Sequence, residues 1–204
     1  MLEAVIFDLD GTLWDASEPI AMGWNKAFEK RGLSPITSED VRGVCGLPMD
    51  EILRVLQPEH ATKELLEEII HLEEEILETV HGSLYPGMLE TLEALKEKYK
   101  LYIVSNCQSG YIELFLRTLN LSFYFEDAEC WGNTKNPKGQ NIKDLMERNS
   151  IKHAIYVGDT LGDQRAAKEA GVPFYFAAYG FGESTASQGV LQEPMDLIQA
   201  LEGC

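Results

Sequence analysis

The 204-residue chain is predicted to form an α/β fold, a doubly wound parallel sheet carrying an inserted all-helical domain. Three observations predict it. Short apolar runs at 4–7, 101–104, 154–157 and 174–176 show no polar alternation, as expected of strands buried on both faces of a parallel sheet. Segments of helical periodicity separate the later runs, and strand alternating with helix implies parallel crossovers. Residues 15–84 break the alternation and read as helical throughout. The length suits one domain, or a core with a smaller insert, and buries a full core without disulfides or a structural metal.

In chain order, Ala4, Val5, Ile6 and Phe7 form the first strand, stopped by Asp8. Residues 18–31 place Ile20, Ala21, Trp24, Ala27 and Phe28 at helical spacing, with Gly32 as the stop. Shorter helices are expected at 38–44 and 49–56. In 63–81, Leu66, Ile69, Ile70, Ile76, Leu77 and Val80 are read as facing inward and most of the seven glutamates outward. Pro86-Gly87 closes this segment. Residues 15–84 are thus expected as a helical cap on hinges near Trp14-Asp15 and Leu84 to Pro86, with 1–14 and 85–204 as the α/β core. Beyond it, a helix at 88–98 carries Leu89, Leu92 and Leu95, and a helix at 111–119 carries Ile112, Phe115, Leu116 and Leu119. A weaker strand at 127–130 belongs at one edge, and helices at 139–149 and 162–170 complete the pattern.

Against 17 Lys plus Arg stand 34 Asp plus Glu, a net charge of −17. A chain this acidic is a poor prior for the basic patches that nucleic acid and anionic membranes require, so neither is an expected partner. No apolar run approaches the roughly 18 residues of a membrane span, and the N-terminus lacks signal-peptide character, so the chain reads as cytoplasmic. Cys45, Cys107, Cys130 and Cys204 have neither metal-ligand nor disulfide-framework spacing and read as free thiols.

The strongest chemical signal is Asp8-Leu9-Asp10-Gly11-Thr12, where the first strand ends. Open α/β sheets bind ligands at these strand ends. Two aspartates one residue apart, with Gly11 permitting a sharp turn, offer one carboxylate as nucleophile and one as general acid and base. Asp-Gly is equally a common turn pair. The second signal, Gly158-Asp159-Thr160-Leu161-Gly162-Asp163, again follows a buried strand. It too reads as a turn and helix cap, yet two acid-bearing strand ends can converge on a hard cation with oxygen ligands.

With Ser105-Asn106 and Lys138, and with Ala166 to Val172 after the last acidic motif, these four ordered motifs resemble the haloacid dehalogenase superfamily. Within it they resemble phosphatases with a helical cap, and the likeness covers nearly the whole chain. The resemblance implies Asp8 as the nucleophile forming an aspartyl phosphate. It implies Asp10 as the acid and base, its backbone carbonyl also touching Mg²⁺. Ser105 and the Asn106 N–H would grip phosphoryl oxygens, with Gly11 and Thr12 beside them. Asp159 would bind Mg²⁺ directly, supported by Asp163, so that Asp8, Asp10, Asp159 and Asp163 make up the metal set. Relatives often have Lys followed by Pro; here Lys135 and Lys138 both offer the phosphate-binding ammonium, and Lys138, at a helix start, is favoured.

Other residues weigh differently. Arg42, between cap helices, is a possible clamp for an anionic substrate group. Trp14 and Trp24 stand where they can face substrate, although Trp24 in its apolar stripe suits core packing. Gly180-Phe181-Gly182 is expected to border the site. The implied function is Mg²⁺-dependent hydrolysis of a small phosphorylated metabolite, most like phosphoglycolate phosphatases, by a monomer or homodimer. A sugar phosphomutase, a phosphonatase and a non-catalytic scaffold on the same fold are the alternatives.

Overall fold

The computed structural model describes residues 1–202; Cys204 lies outside them. The elements run β1 (Ala4–Phe7), β2 (Trp14–Asp15), α1 (Ser17–Glu29), α2 (Ser38–Arg42), α3 (Met49–Leu56), α4 (Lys63–Leu77), β3 (Ser83–Leu84) and α5 (Met88–Lys96). They continue as β4 (Lys100–Ser105), α6 (Tyr111–Thr118), β5 (Phe125–Cys130), α7 (Trp131–Thr134), α8 (Lys138–Arg148), β6 (Ala154–Gly158), α9 (Leu161–Ala170), β7 (Phe174–Ala177), β8 (Gly189–Leu191) and α10 (Asp196–Ala200).

Six strands form one parallel sheet in the order β5-β4-β1-β6-β7-β8. The first strand lies at its centre, with Val5 level with Leu101 on one side and Ile155 on the other. Alternate residues face opposite layers. Val5 and Phe7 pack into one core with Leu101, Ile103, Ile112 and Phe115, while Ala4 and Ile6 pack into another with Tyr102, Tyr156, Ile142 and Leu145. Burial on both faces explains why these strands read as unbroken apolar runs. The weak strand at 127–130 is the expected edge strand β5. The opposite edge, β8, has three residues and Gly189 within it, too little pattern to announce a strand.

Helices α1 to α4 all lie between β2 and β3, which pair antiparallel, Trp14 with Leu84 and Asp15 with Ser83. The chain therefore leaves and rejoins the α/β layer at one hydrogen-bonded point. In α4 the buried face is Leu65, Ile69, Leu72, Glu73, Ile76 and Leu77, which corrects the expected inward row. Leu66 and Ile70 are only half-buried, and Val80 lies past the end of the helix and is 40% exposed. The helix ends at Leu77 rather than 81, so Val80 does not follow its period. Leu89 of α5 likewise points outward, while Met88, Leu92 and Leu95 are buried, the i, i+4, i+7 row of that helix. Among the described residues no helix is long and apolar enough to cross a membrane.

Candidate active site

Asp8 follows β1 directly, Ser105 ends β4, and Asp159 follows β6. Adjacent parallel strands present these side chains at their carboxyl ends, where the chain order switches from β4 on one side of β1 to β6 on the other. After Asp8 the chain coils tightly: the N–H groups of Thr12 and Leu13 donate to Leu9 O, and Gly11 N donates to Trp14 O. Gly11 has φ +80°, and a Cβ there would lie 2.2 Å from Asp159 Oδ2. Only glycine satisfies both the left-handed backbone and the approach of the second acidic motif.

Asp8, Asp159 and Asp163 bring carboxylate oxygens within 4.8 Å of one another, all buried. Lys138 Nζ lies 3.0 Å from Asp8 Oδ1 and 2.7 Å from Asp163 Oδ1. Burial raises the Asp8 carboxyl well above the usual range, and Asp163 adds to this against the pull of Lys138. Asp159 is pushed up to about 7, first by burial and then by Asp163. Burial opposes charge on Lys138, but Asp163 and Asp8 outweigh it and hold the ammonium above its ordinary value. Asp163 is positioned by a capping box, in which its side chain accepts from Thr160 N and its own N–H donates to Thr160 Oγ1.

Three carboxylates around one ammonium leave two negative charges in excess when ionised. Asp8 Oδ1 is fully buried and takes no aligned hydrogen bond despite facing Lys138. Three buried carboxylates that one ammonium does not balance form a set of hard oxygen donors that a divalent cation such as Mg²⁺ fits.

Asp10 is set apart from this cluster. Its Oδ1 accepts from Tyr111 Oη at 2.8 Å and Trp14 Nε1 at 3.0 Å. Burial pushes its carboxyl up to about 6, while these two donors favour the ionised form and restrain the shift. Trp14 is fully buried beneath Asp10 rather than facing a ligand, which corrects the expectation for that residue. Trp24 is in the core as expected, edge-on to Phe28, and also reaches the site.

The predicted residues divide plainly. Asp8, Asp10, Ser105 and Asn106 line one cavity of about 50 Å³. That is several times what one water needs, so the cavity has room for several waters or a small polar group. Thr12 is buried with Oγ1 3.4 Å from Asp159 Oδ1. Lys138 joins the acids, whereas the Lys135 ammonium sits over the Trp131 ring at 3.9 Å. Arg42 does not line the cavity; it pairs with Asp15 at 2.8 Å and lies over the Phe181 ring in an outer groove. Phe181 N donates to Asp159 Oδ2 at 2.8 Å, so the 180–182 loop borders the site as expected.

Two links across the cavity join the helical segment to the α/β layer. Asn106 Nδ2 donates to Gly46 O at 2.7 Å, and Gln108 Nε2 donates to Glu73 Oε1 at 2.8 Å. Glu73 Oε2 accepts from Trp24 Nε1 at 2.8 Å, and burial pushes its carboxyl up to about 7. Sequence reasoning missed Glu73, Gln108 and Tyr111. One signal was available for Glu73: it stands at i+4 from Ile69 on the face of Ile76.

A sequence model of haloacid dehalogenase-like hydrolases matches residues 5–177. A phosphoglycolate phosphatase of Aquifex aeolicus is 30% identical, covering 98% of this chain and 97% of its own. One of Vibrio parahaemolyticus is 28% identical over 88% of this chain and 85% of its own. Among solved structures, a haloacid dehalogenase-like family protein from Streptococcus pneumoniae superposes with a TM-score of 0.81 at 22% identity, covering 97% of each chain. At that identity the likeness is one of fold.

Proposed function

The chain belongs to the haloacid dehalogenase-like hydrolases, and from that membership we propose a Mg²⁺-dependent phosphomonoesterase acting on a small cytosolic metabolite through an aspartyl phosphate. The observation that carries this reading is the convergence of Asp8, Lys138, Asp159 and Asp163 at adjacent strand ends, beneath a small cavity that Asp10 also lines.

In this mechanism an Asp8 carboxylate oxygen attacks phosphorus and the bond to the ester oxygen breaks. Asp10 gives its proton to the departing alkoxide, which leaves as the alcohol. Water then attacks the aspartyl phosphate, Asp10 takes a proton from it, and the bond to Asp8 breaks to release inorganic phosphate. A carboxyl near pH 6 is suited to both transfers. Tyr111 and Trp14 hold one Asp10 oxygen, leaving the other free to move the proton. Ser105, the Asn106 N–H and Lys138 would bind phosphoryl oxygens.

Asp8, Asp159, Asp163 and the Asp10 carbonyl would hold Mg²⁺. When bound, the ion supplies the positive charge that lets an anionic carboxylate approach an anionic phosphate. Residues 15–84 act as the cap. The β2–β3 pairing supplies the hinge, and the Asn106–Gly46 and Gln108–Glu73 bonds hold the cap shut over the cavity.

Phosphate release from an aryl phosphate, with Mg²⁺ and with EDTA, tests the reading. Activity is expected only with the metal, and full turnover by Asp8→Asn overturns the nucleophile. Retention of phosphate on a hexose, in place of free phosphate, marks the mutase alternative.

A further inference from the structure

Among the described residues lining the cavity over Asp8 and Asp10, none is a lysine or arginine. The cap supplies an apolar wall from Ile20, Val41, Val44, Leu47, Met49 and Ile52. The ionisable cap residue with an oxygen charge in this wall is Glu73, 1% exposed. Its position is built in. A Cβ at Gly23 of α1 would fall 2.7 Å from Glu73 Cα, so the glycine lets α4 seat directly on α1 and brings the carboxyl to the cavity. Trp24 and Gln108 each donate to one of its oxygens and fix its orientation. Each oxygen keeps acceptor capacity for a further donor.

The basic residues nearest the site, which would neutralise an anionic group, are committed elsewhere. Arg42 pairs with Asp15 in the outer groove, and Lys138 is held between Asp8 and Asp163. Beyond the phosphoryl position, a ligand therefore meets an apolar wall with a single acidic acceptor. Above about pH 7, where the Glu73 carboxyl is ionised, a carboxylate placed there would be desolvated beside it with no counter-charge, an arrangement that is strongly unfavourable. A hydroxyl or ammonium would instead donate to Glu73.

Resting on the phosphomonoesterase reading, we propose that Glu73 determines specificity, selecting small monophosphates whose alcohol portion carries a hydrogen-bond donor and no anionic group. The chain then differs in substrate class from relatives named for phosphoglycolate, whose own alcohol portion bears a carboxylate.

A two-carbon series at pH 8, where Glu73 is ionised, tests this with the intact chain: 2-hydroxyethyl phosphate, 2-aminoethyl phosphate and 2-phosphoglycolate, with p-nitrophenyl phosphate as reference. The expected kcat/KM is at least tenfold higher for the better of the first two than for 2-phosphoglycolate. Glu73→Gln is expected to narrow that ratio tenfold or more, chiefly through KM, since the Gln108 amide can rotate to pair with the new one. A merely structural role would lower all four rates together. Preference for 2-phosphoglycolate in the wild type overturns the proposal while leaving the hydrolase reading intact. So does an unchanged ratio in the variant. Absence of phosphate release from every ester, the aryl one included, overturns the hydrolase reading and this inference with it.

Discussion

Tyr111 Oη donates to Asp10 Oδ1 at 2.8 Å across 101 residues of sequence, and Trp14 Nε1 donates to the same oxygen. Tyr111 stands at the first position of α6, preceded by Gly110 in the left-handed conformation, and is 1% exposed. The phenol cannot reorient without disturbing the packed Trp14 ring, 5.9 Å away centroid to centroid. Asp10 is thus held by two rigid donors from different layers of the fold.

Tyr111→Phe should lower kcat/KM for an alkyl phosphate about 10- to 100-fold, the worth of one hydrogen bond to a charged group. The loss should be smaller for p-nitrophenyl phosphate, whose leaving group departs without a proton. Steady-state rates on the two esters check this; equal losses would remove the acid–base role from Asp10.

Asp8→Asn should reduce turnover at least a thousandfold, as expected on removing a nucleophile. The same change removes one of three crowded carboxylates, so the melting temperature in EDTA should stay level or rise. Thermal unfolding beside the activity assay separates lost chemistry from lost structure.

Mg²⁺ should raise the melting temperature, because on the proposed reading it would bind the folded acid cluster and not the dispersed residues of the unfolded chain. At a hundredfold excess over Kd the shift should be roughly 5–10 °C for a chain of this size. Asp159→Asn should lose most of it. A melting temperature indifferent to Mg²⁺ in the wild type would remove the ion from the site.

Glu73 should make the fold less stable as pH rises. Its carboxyl titrates near 4.5 when unfolded and about 7 when folded, because of burial, with Asp10 and Glu74 adding repulsion against the donors Trp24 and Gln108. Below pH 4.5 both states are protonated and the effect is absent. Between 4.5 and 7 the folded state binds more protons, so stability falls, by a total on the order of 3 kcal/mol, and it is level above 7. Glu73→Gln removes this dependence. The variant's melting temperature relative to wild type should therefore climb between pH 5 and 8; a constant difference would refute it.

Gly180→Ala should impair the site without touching a reacting group. A Cβ there would lie 2.2 Å from Gly11 O and 2.4 Å from Asp159 Cβ, so the Asp8–Thr12 turn or Asp159 must shift. Activity should fall at least tenfold, since small displacements of positioned groups are costly. The Mg²⁺-induced thermal shift should shrink with it.

Much of the fold was legible because its signals are local. Runs such as Ala4–Phe7 and Ala154–Gly158 are apolar on both faces, and each ends in the acids that the sheet then gathers. The Thr160–Asp163 capping box is likewise a spacing within one turn. The strand β8 was not legible, being three residues with a glycine. Nor was the true inward face of α4, where the helix seats by the contact of Gly23 with Glu73 rather than by its most apolar row.

By itself the sequence determined the layer order and which strand ends carry acids, because burial on both faces and turn chemistry are written in neighbouring residues. Only the tertiary structure decided which lysine reaches those acids, that Tyr111 holds Asp10, that Arg42 turns away to Asp15, and that one glutamate among seven in the 63–81 segment enters the cavity. Those relations join side chains tens of residues apart, and they depend on how helices pack against one another and on the sheet, which no local pattern encodes.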